Sequence, residues 1–130
     1  HKESYKMWSV FFGFLRRRLL LSARYSLNGL RACFKNEEAF RVEIYIVLLL
    51  LPCAWFIANT KLELIILVAT LFLVLIAELF NSAIENIVDR VSTEKHQLSE
   101  RSKDQASAAV LLSIVICVFT WLLIGLNYVL

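Results

Sequence analysis

Just after a long apolar run, the sequence places Glu78, Asn81, Ser82, Glu85 and Asp89 within twelve residues. At about 100° per residue, the last four fall at about −60°, +40°, −20° and +20° from Glu78. A helix over this stretch therefore gathers three carboxylates, an amide and a hydroxyl into one polar stripe, while Leu79, Phe80, Ala83, Ile84 and Ile87 cover the remaining surface. Ionisable side chains in such a setting cost at least about 2.5–3.5 kcal/mol each at mid-bilayer. Glu78 adjoins the apolar run and is the least hydrated of the set, which suits a general base. The same stripe would also suit helix–helix glue, headgroup snorkelling or an ion site.

Two further clusters carry hard oxygen or positive charge. Asn36-Glu37-Glu38 precedes another apolar run, with Glu43 two turns on. If Glu37 and Glu85 lie at the same membrane face, their carboxylates can meet and hold Mg²⁺ that carries phosphates. Acids at a helix start, favoured by the macrodipole, are the plainer alternative. Glu94-Lys95-His96 is followed by Arg101-Ser102-Lys103-Asp104. Lys103 can neutralise phosphate, and Asp104 starts a helix well whatever else it does. Ser107-Ala108-Ala109 offers small residues for close helix approach. No P-loop motif and no kinase glycine-rich loop is present, so any use of ATP follows another route.

The elements that position these groups follow from composition. The chain has 130 residues, 59% of them hydrophobic, with one proline and three glycines, and its mean hydropathy is +0.67. That is well above the roughly 45–50% apolar content of soluble domains. Three spans of about 20 residues use roughly half the chain, leaving no room for a separate soluble catalytic domain. The apolar runs Ile44–Ala58, Leu64–Ala77 and Ala108–Leu126 divide the 14 Lys and Arg residues into groups of nine, one, four and none. By the positive-inside rule, the N-terminus and the loop near 90–104 face the cytoplasm. Cys33, Cys53 and Cys117 read as small core hydrophobes, and no zinc spacing is present. No removable signal peptide is expected.

The expected fold is all-α: a single membrane domain over 1–130, with an amphipathic surface region over about 8–35. Gly29 and Asn36 are plausible breaks, and the surface region's cations face anionic lipid. Transmembrane helices are expected over about 38–58, 62–91 and 102–128, the second emerging on the cytoplasmic side. Pro52 is tolerable within the first span.

In this order, on three short spans, the clusters closely resemble the bacterial integral-membrane diacylglycerol kinase family, which also contains the undecaprenol kinases. The resemblance runs through Gly29-Leu30-Arg31-Ala32, Asn36-Glu37, Ala39-Phe40-Arg41-x-Glu43, Glu78-x-x-Asn81-Ser82-Ala83-Ile84-Glu85, Val88-Asp89-Arg90, His96 and Lys103-Asp104-x-x-Ser107-Ala108-Ala109-Val110. It covers the chain from about Arg18 onward. Leu27, Glu38, Lys95, Glu100 and Ala106 depart from the family pattern.

The resemblance implies a homotrimer in the bacterial cytoplasmic (inner) membrane and direct transfer of the ATP γ-phosphate to a lipid primary hydroxyl. It implies Glu78 as general base, and Glu37 and Glu85 as Mg²⁺ ligands. Arg18, Tyr25, Glu37, Glu85, Glu94, Lys95, His96, Lys103 and Asp104 fall at ATP-binding positions. Arg18, Arg31, Arg41, Glu78, Ser107 and Trp121 fall at lipid-substrate positions. Asn81, Ser82 and Asp89 support the polar face. Ala39-Phe40-Arg41-x-Glu43 and Asp89-Arg90 favour diacylglycerol, giving phosphatidic acid, over undecaprenol. The partners implied are ATP, the lipid substrate and the bilayer, with no nucleic acid. A small oligomeric proton-coupled transporter using Glu78 is the rival reading from another class.

Overall fold

The computed structural model describes residues 2–130 and contains four helices: α1 (Lys2–Asn36), α2 (Glu38–Ile57), α3 (Lys61–Val91) and α4 (Gln97–Val129). No strand occurs among the described residues. The last three helices are long and apolar enough to cross a membrane. α3 is the central element, packing mainly against α4 and less extensively against α2.

The packing seams follow helical periodicity. α3 buries Leu67, Thr70, Leu71, Val74, Glu78 and Ser82, and α2 buries Phe40, Val47 and Ala54 at seven-residue intervals. Hydroxyls in these seams are satisfied locally: Thr70 donates to the Leu67 carbonyl at 2.9 Å and Ser113 to that of Val110 at 2.6 Å. Side chains of this size let helices approach closely without leaving orphan donors in a medium that supplies none. α4 runs antiparallel to α3. The Trp121 indole N–H donates to the Leu67 carbonyl at 3.3 Å, and near the opposite ends Lys103 meets Asp89 at 2.6 Å.

The connections are short and capped. Between α2 and α3, Thr60 Oγ1 accepts from the Glu63 N–H at 3.1 Å, while the Glu63 carboxylate accepts from the Asn59 N–H at 2.7 Å. This reciprocal arrangement satisfies helix-start donors as a capping box does. A single residue, Glu37, separates α1 from α2 and has an extended backbone. Arg41 reaches back across this joint and donates to the Phe34 and Lys35 carbonyls, both at 2.9 Å. These are carbonyls that the end of α1 leaves without helical partners. Phe34 and Tyr45 meet edge to face beside them, with centroids 6.1 Å apart.

Three expectations change. Gly29 does not break α1, which is continuous from Lys2 to Asn36; the cost of one glycine is small against so many retained backbone bonds. α4 begins at Gln97 rather than near Ser102, because the His96 ring nitrogen Nδ1 caps it by accepting from the Leu98 N–H at 3.1 Å. Asp104 consequently lies about two turns inside α4 instead of starting it. The small residues of the α4 seam are Ala106 and Ser113, whereas Ser107, Ala108 and Ala109 are exposed.

Candidate active site

The polar stripe on α3 grades from buried to wet along the helix. Glu78 and Ser82 are 7% and 4% exposed, Asn81 and Glu85 are half-buried, and Asp89 is exposed. The Asn81 amide adjoins the Glu78 carboxylate, and the charges of Glu85 and Glu37 both reach it. Glu43, from the second turn of α2, is also within electrostatic reach of Glu78. Carboxylates from the α1–α2 joint, from α2 and from α3 thus converge on one region.

Two acceptors in this region stand out. Glu43 Oε2 and Asn81 Oδ1 are both buried without a hydrogen-bond partner. A buried acceptor without a donor costs free energy comparable to a lost hydrogen bond. Beside Glu78, two such oxygens suit a guest that brings an O–H group. Glu43 was not among the expected site residues; its isolation in an otherwise apolar stretch of α2 was the available signal.

Glu37 is half-buried whereas Glu38 is exposed. Glu37 also borders a cavity of about 280 Å³ between α1 and α3, together with Cys33, Asn36, Ser82 and Asn86. Of the adjacent glutamates, Glu37 therefore faces the interior. Burial pushes the Cys33 thiol up, the Ser82 hydroxyl opposes this, and Glu37, Glu78 and Glu43 add to the rise. Cys33 is consequently a packing group that joins α1 to α3.

The donor chemistry of Glu37 and Glu85 fits a hard divalent cation. No set of three or more His, Cys, Asp or Glu side chains gathers into a metal cluster among the described residues. A pair of carboxylates alone suits Mg²⁺, which keeps water and takes substrate phosphates as its remaining ligands.

Apart from Glu37 and Glu85, the expected nucleotide residues fall into three groups within one chain. Glu94, Lys95, His96 and Lys103 border one cavity of about 200 Å³ at the α3–α4 turn, with Asp89 on its wall. Lys103 Nζ donates to Asp89 there, and His96 doubles as the α4 cap. Asp104 borders a separate depression with Arg101. Arg18 and Tyr25 share a third, on α1, where the Arg18 guanidinium lies 5.7 Å from the Phe14 ring centroid. α1 makes no contact with α4.

The expected lipid contacts are likewise dispersed. Arg31 and Ser107 are exposed, Arg41 is engaged in capping α1, and Trp121 is held at the far end of α3, about 16 Å along the helix from Glu78. One chain therefore brings together Glu78, Asn81, Ser82, Glu85, Glu37 and Glu43, and leaves Arg18, Tyr25, Asp104 and Trp121 apart from them.

The chain is similar to known proteins over most of its length. Residues 24–125 match the family described as prokaryotic diacylglycerol kinase. The chain is 46% identical over 103 residues to a diacylglycerol kinase of Haemophilus influenzae, covering 79% of this chain and 87% of that protein. It is 45% identical over 104 residues to the diacylglycerol kinase of Escherichia coli K12, covering 80% and 85%. With that of Pseudomonas aeruginosa the identity is 41% over 105 residues, covering 81% and 85%.

Proposed function

The chain belongs to the prokaryotic diacylglycerol kinase family, and from that premise we propose that it transfers the γ-phosphate of ATP to the primary hydroxyl of diacylglycerol, giving phosphatidic acid. The reaction takes place at the cytoplasmic face of a bacterial inner membrane, with the N-terminus on that side. The observation that carries this reading is the buried carboxylate Glu78, with buried acceptors on Glu43 and Asn81 left without donors and with Glu37, Glu43 and Glu85 within electrostatic reach.

In this reading the lipid hydroxyl enters among Glu43, Glu78 and Asn81 and donates its one hydrogen to the Glu78 carboxylate. Glu78 removes the proton as the oxygen attacks the γ-phosphorus, the bond from that phosphorus to the bridging oxygen of ADP breaks, and ADP leaves. Glu37 and Glu85 hold Mg²⁺, which supplies charge neutralisation to the phosphates. Lys103, Lys95 and His96 bind and orient phosphate from the α3–α4 turn, and Arg18 and Tyr25 do so from α1. Positioning and electrostatics supply most of the acceleration in such transfers.

A homotrimer accounts for the separation of Arg18 and Tyr25 from the carboxylates, since a neighbouring subunit can bring its own α1 to the site. The many apolar side chains on the outside of α2 and α4 then meet lipid or other subunits.

A phosphorylation assay with reconstituted protein, Mg²⁺-ATP and either diacylglycerol or undecaprenol tests the proposal. Phosphatidic acid is the expected product. Undecaprenyl phosphate formed with no phosphatidic acid overturns the choice of lipid, and ATP-independent proton flux dependent on Glu78 favours the transporter reading.

A further inference from the structure

Glu37 is the single residue between α1 and α2, and its backbone is tied to both helices. Its N–H donates to the Cys33 carbonyl at 2.8 Å, and its carbonyl accepts from the Arg41 N–H at 3.3 Å. The side chain, by contrast, is uncommitted. Glu37 occupies the N-cap position of α2 but makes no side-chain capping bond.

Arg41 follows four positions after Glu37, a spacing at which opposite charges on a helix ordinarily pair. Here they do not: among the described residues, Arg41 makes no ion pair with Glu37 or Glu38. Its guanidinium Nη1 goes instead to the Phe34 and Lys35 carbonyls, both at 2.9 Å. With the Cys33 carbonyl taken by the Glu37 N–H, successive acceptors at the end of α1 are satisfied, and positive charge meets the negative pole of that helix. α2 grips the same turn a second time through Tyr45, whose ring meets that of Phe34 edge to face. Phe40, 1% exposed, seats the α2 side of the joint.

We propose that Arg41 is a positioning residue for the metal ligand Glu37: it locks the joint that aims the Glu37 side chain, and leaves that carboxylate unneutralised for a divalent cation. The resemblance puts Arg41 at a lipid-substrate position, but its Nη1 is engaged by backbone. A carboxylate forked by a guanidinium has its lone pairs occupied and its charge offset, and is a poorer ligand for a cation. A carboxylate on a loose one-residue link would have to be ordered at the moment of binding, at a cost in affinity. Arg41 removes both penalties. It does for Glu37 what a hydrogen-bonded outer partner does for a ligating side chain, acting through the backbone and not through the ligand oxygens. The inference rests on the reading of Glu37 as a Mg²⁺ ligand.

The test uses the full chain in phosphatidylcholine bilayers with Mn²⁺, a hard octahedral stand-in for Mg²⁺, and a non-hydrolysable ATP analogue. Binding is read as the protein-dependent loss of the free-Mn²⁺ resonance, and KM for diacylglycerol is measured separately. Arg41→Gln is expected to weaken Mn²⁺ binding about tenfold with KM for diacylglycerol unchanged. Arg41→Lys, which keeps a cationic donor and decides the matter if the Gln variant fails to fold, is expected to lie between it and the parent. The double variant Arg41→Gln with Glu37→Gln is expected to bind Mn²⁺ no more weakly than Glu37→Gln alone, because the two residues act as one unit. Unchanged Mn²⁺ binding with a raised KM for diacylglycerol overturns the proposal in favour of a lipid contact. Fully additive losses in the double variant overturn it too, since Arg41 then acts apart from Glu37. Undiminished Mn²⁺ binding by Glu37→Gln defeats the metal-ligand reading itself, and the inference falls with it.

Discussion

Glu78→Gln separates the chemical role of the buried carboxylate from a structural one. Glu78 is 7% exposed and shares its surroundings with Glu37, Glu43 and Glu85. The amide keeps the shape, removes a charge whose burial costs at least about 2.5–3.5 kcal/mol at mid-bilayer, and loses the ability to take a proton. A positioned general base contributes about 10²–10⁴-fold, so lipid phosphorylation is expected to fall by that factor. Resistance to thermal unfolding should hold or rise, because one of several mutually repelling carboxylates is gone. Glu78→Asp keeps the charge but withdraws the oxygen by about one C–C bond, roughly 1.5 Å, and a displacement of that order costs about 10²-fold. The assay measures labelled phosphatidic acid from γ-labelled ATP in reconstituted bilayers, with nucleotide binding followed separately. Nucleotide binding is expected to survive in both variants. Glu78→Gln activity within tenfold of the parent, with normal stability, would refute the assignment.

Other expectations follow from particular contacts. Glu37→Gln and Glu85→Gln should each raise the Mg²⁺ concentration needed for half-maximal activity by about tenfold or more, read from a Mg²⁺ titration, while Glu38→Gln should leave it unchanged. Asp89→Asn frees Lys103 from its ion pair and should change KM for ATP more than kcat. Trp121→Phe removes the indole bond to the Leu67 carbonyl and should cost about 0.6 kcal/mol, at most about 1.7 kcal/mol, in detergent-resistance assays, with activity retained. Native mass spectrometry should detect three chains per particle, and a strictly monomeric active species would contradict the trimer.

Much of this architecture is legible in the residues because hydropathy and period are direct signals. The three apolar helices follow from apolar runs that alternate with cations, and the α3 stripe follows from five polar side chains at helical spacing. Features set by contacts between elements are harder to read. His96 is an uncommon N-cap, so the start of α4 is hidden until its ring nitrogen is seen accepting from Leu98. Whether Ala106 or Ser107 occupies the seam depends on the rotation of α4 against α3, which composition leaves free where both neighbours are small. Arg41 looks like a membrane-surface cation until its guanidinium is found on the last carbonyls of α1. Glu43 acquires meaning only when α2 brings it beside Glu78.

The one-residue joint at Glu37 bears on which changes in chain length this protein tolerates. With Arg41 clasping the end of α1 and no linker to absorb slack, α1 and α2 behave like meshed gears. Adding one residue between Arg18 and Asn36 would turn everything upstream by about 100°. The side chains upstream would then point in a different direction, although every residue was retained. Drift in length is accommodated much more easily in the five residues between α3 and α4. Even there, His96 must remain adjacent to Gln97. Length variation among functional descendants of this sequence should therefore gather at the extreme N-terminus and at Ser92 and Thr93, with the span from Arg18 to Val91 held constant in count even where its side chains change.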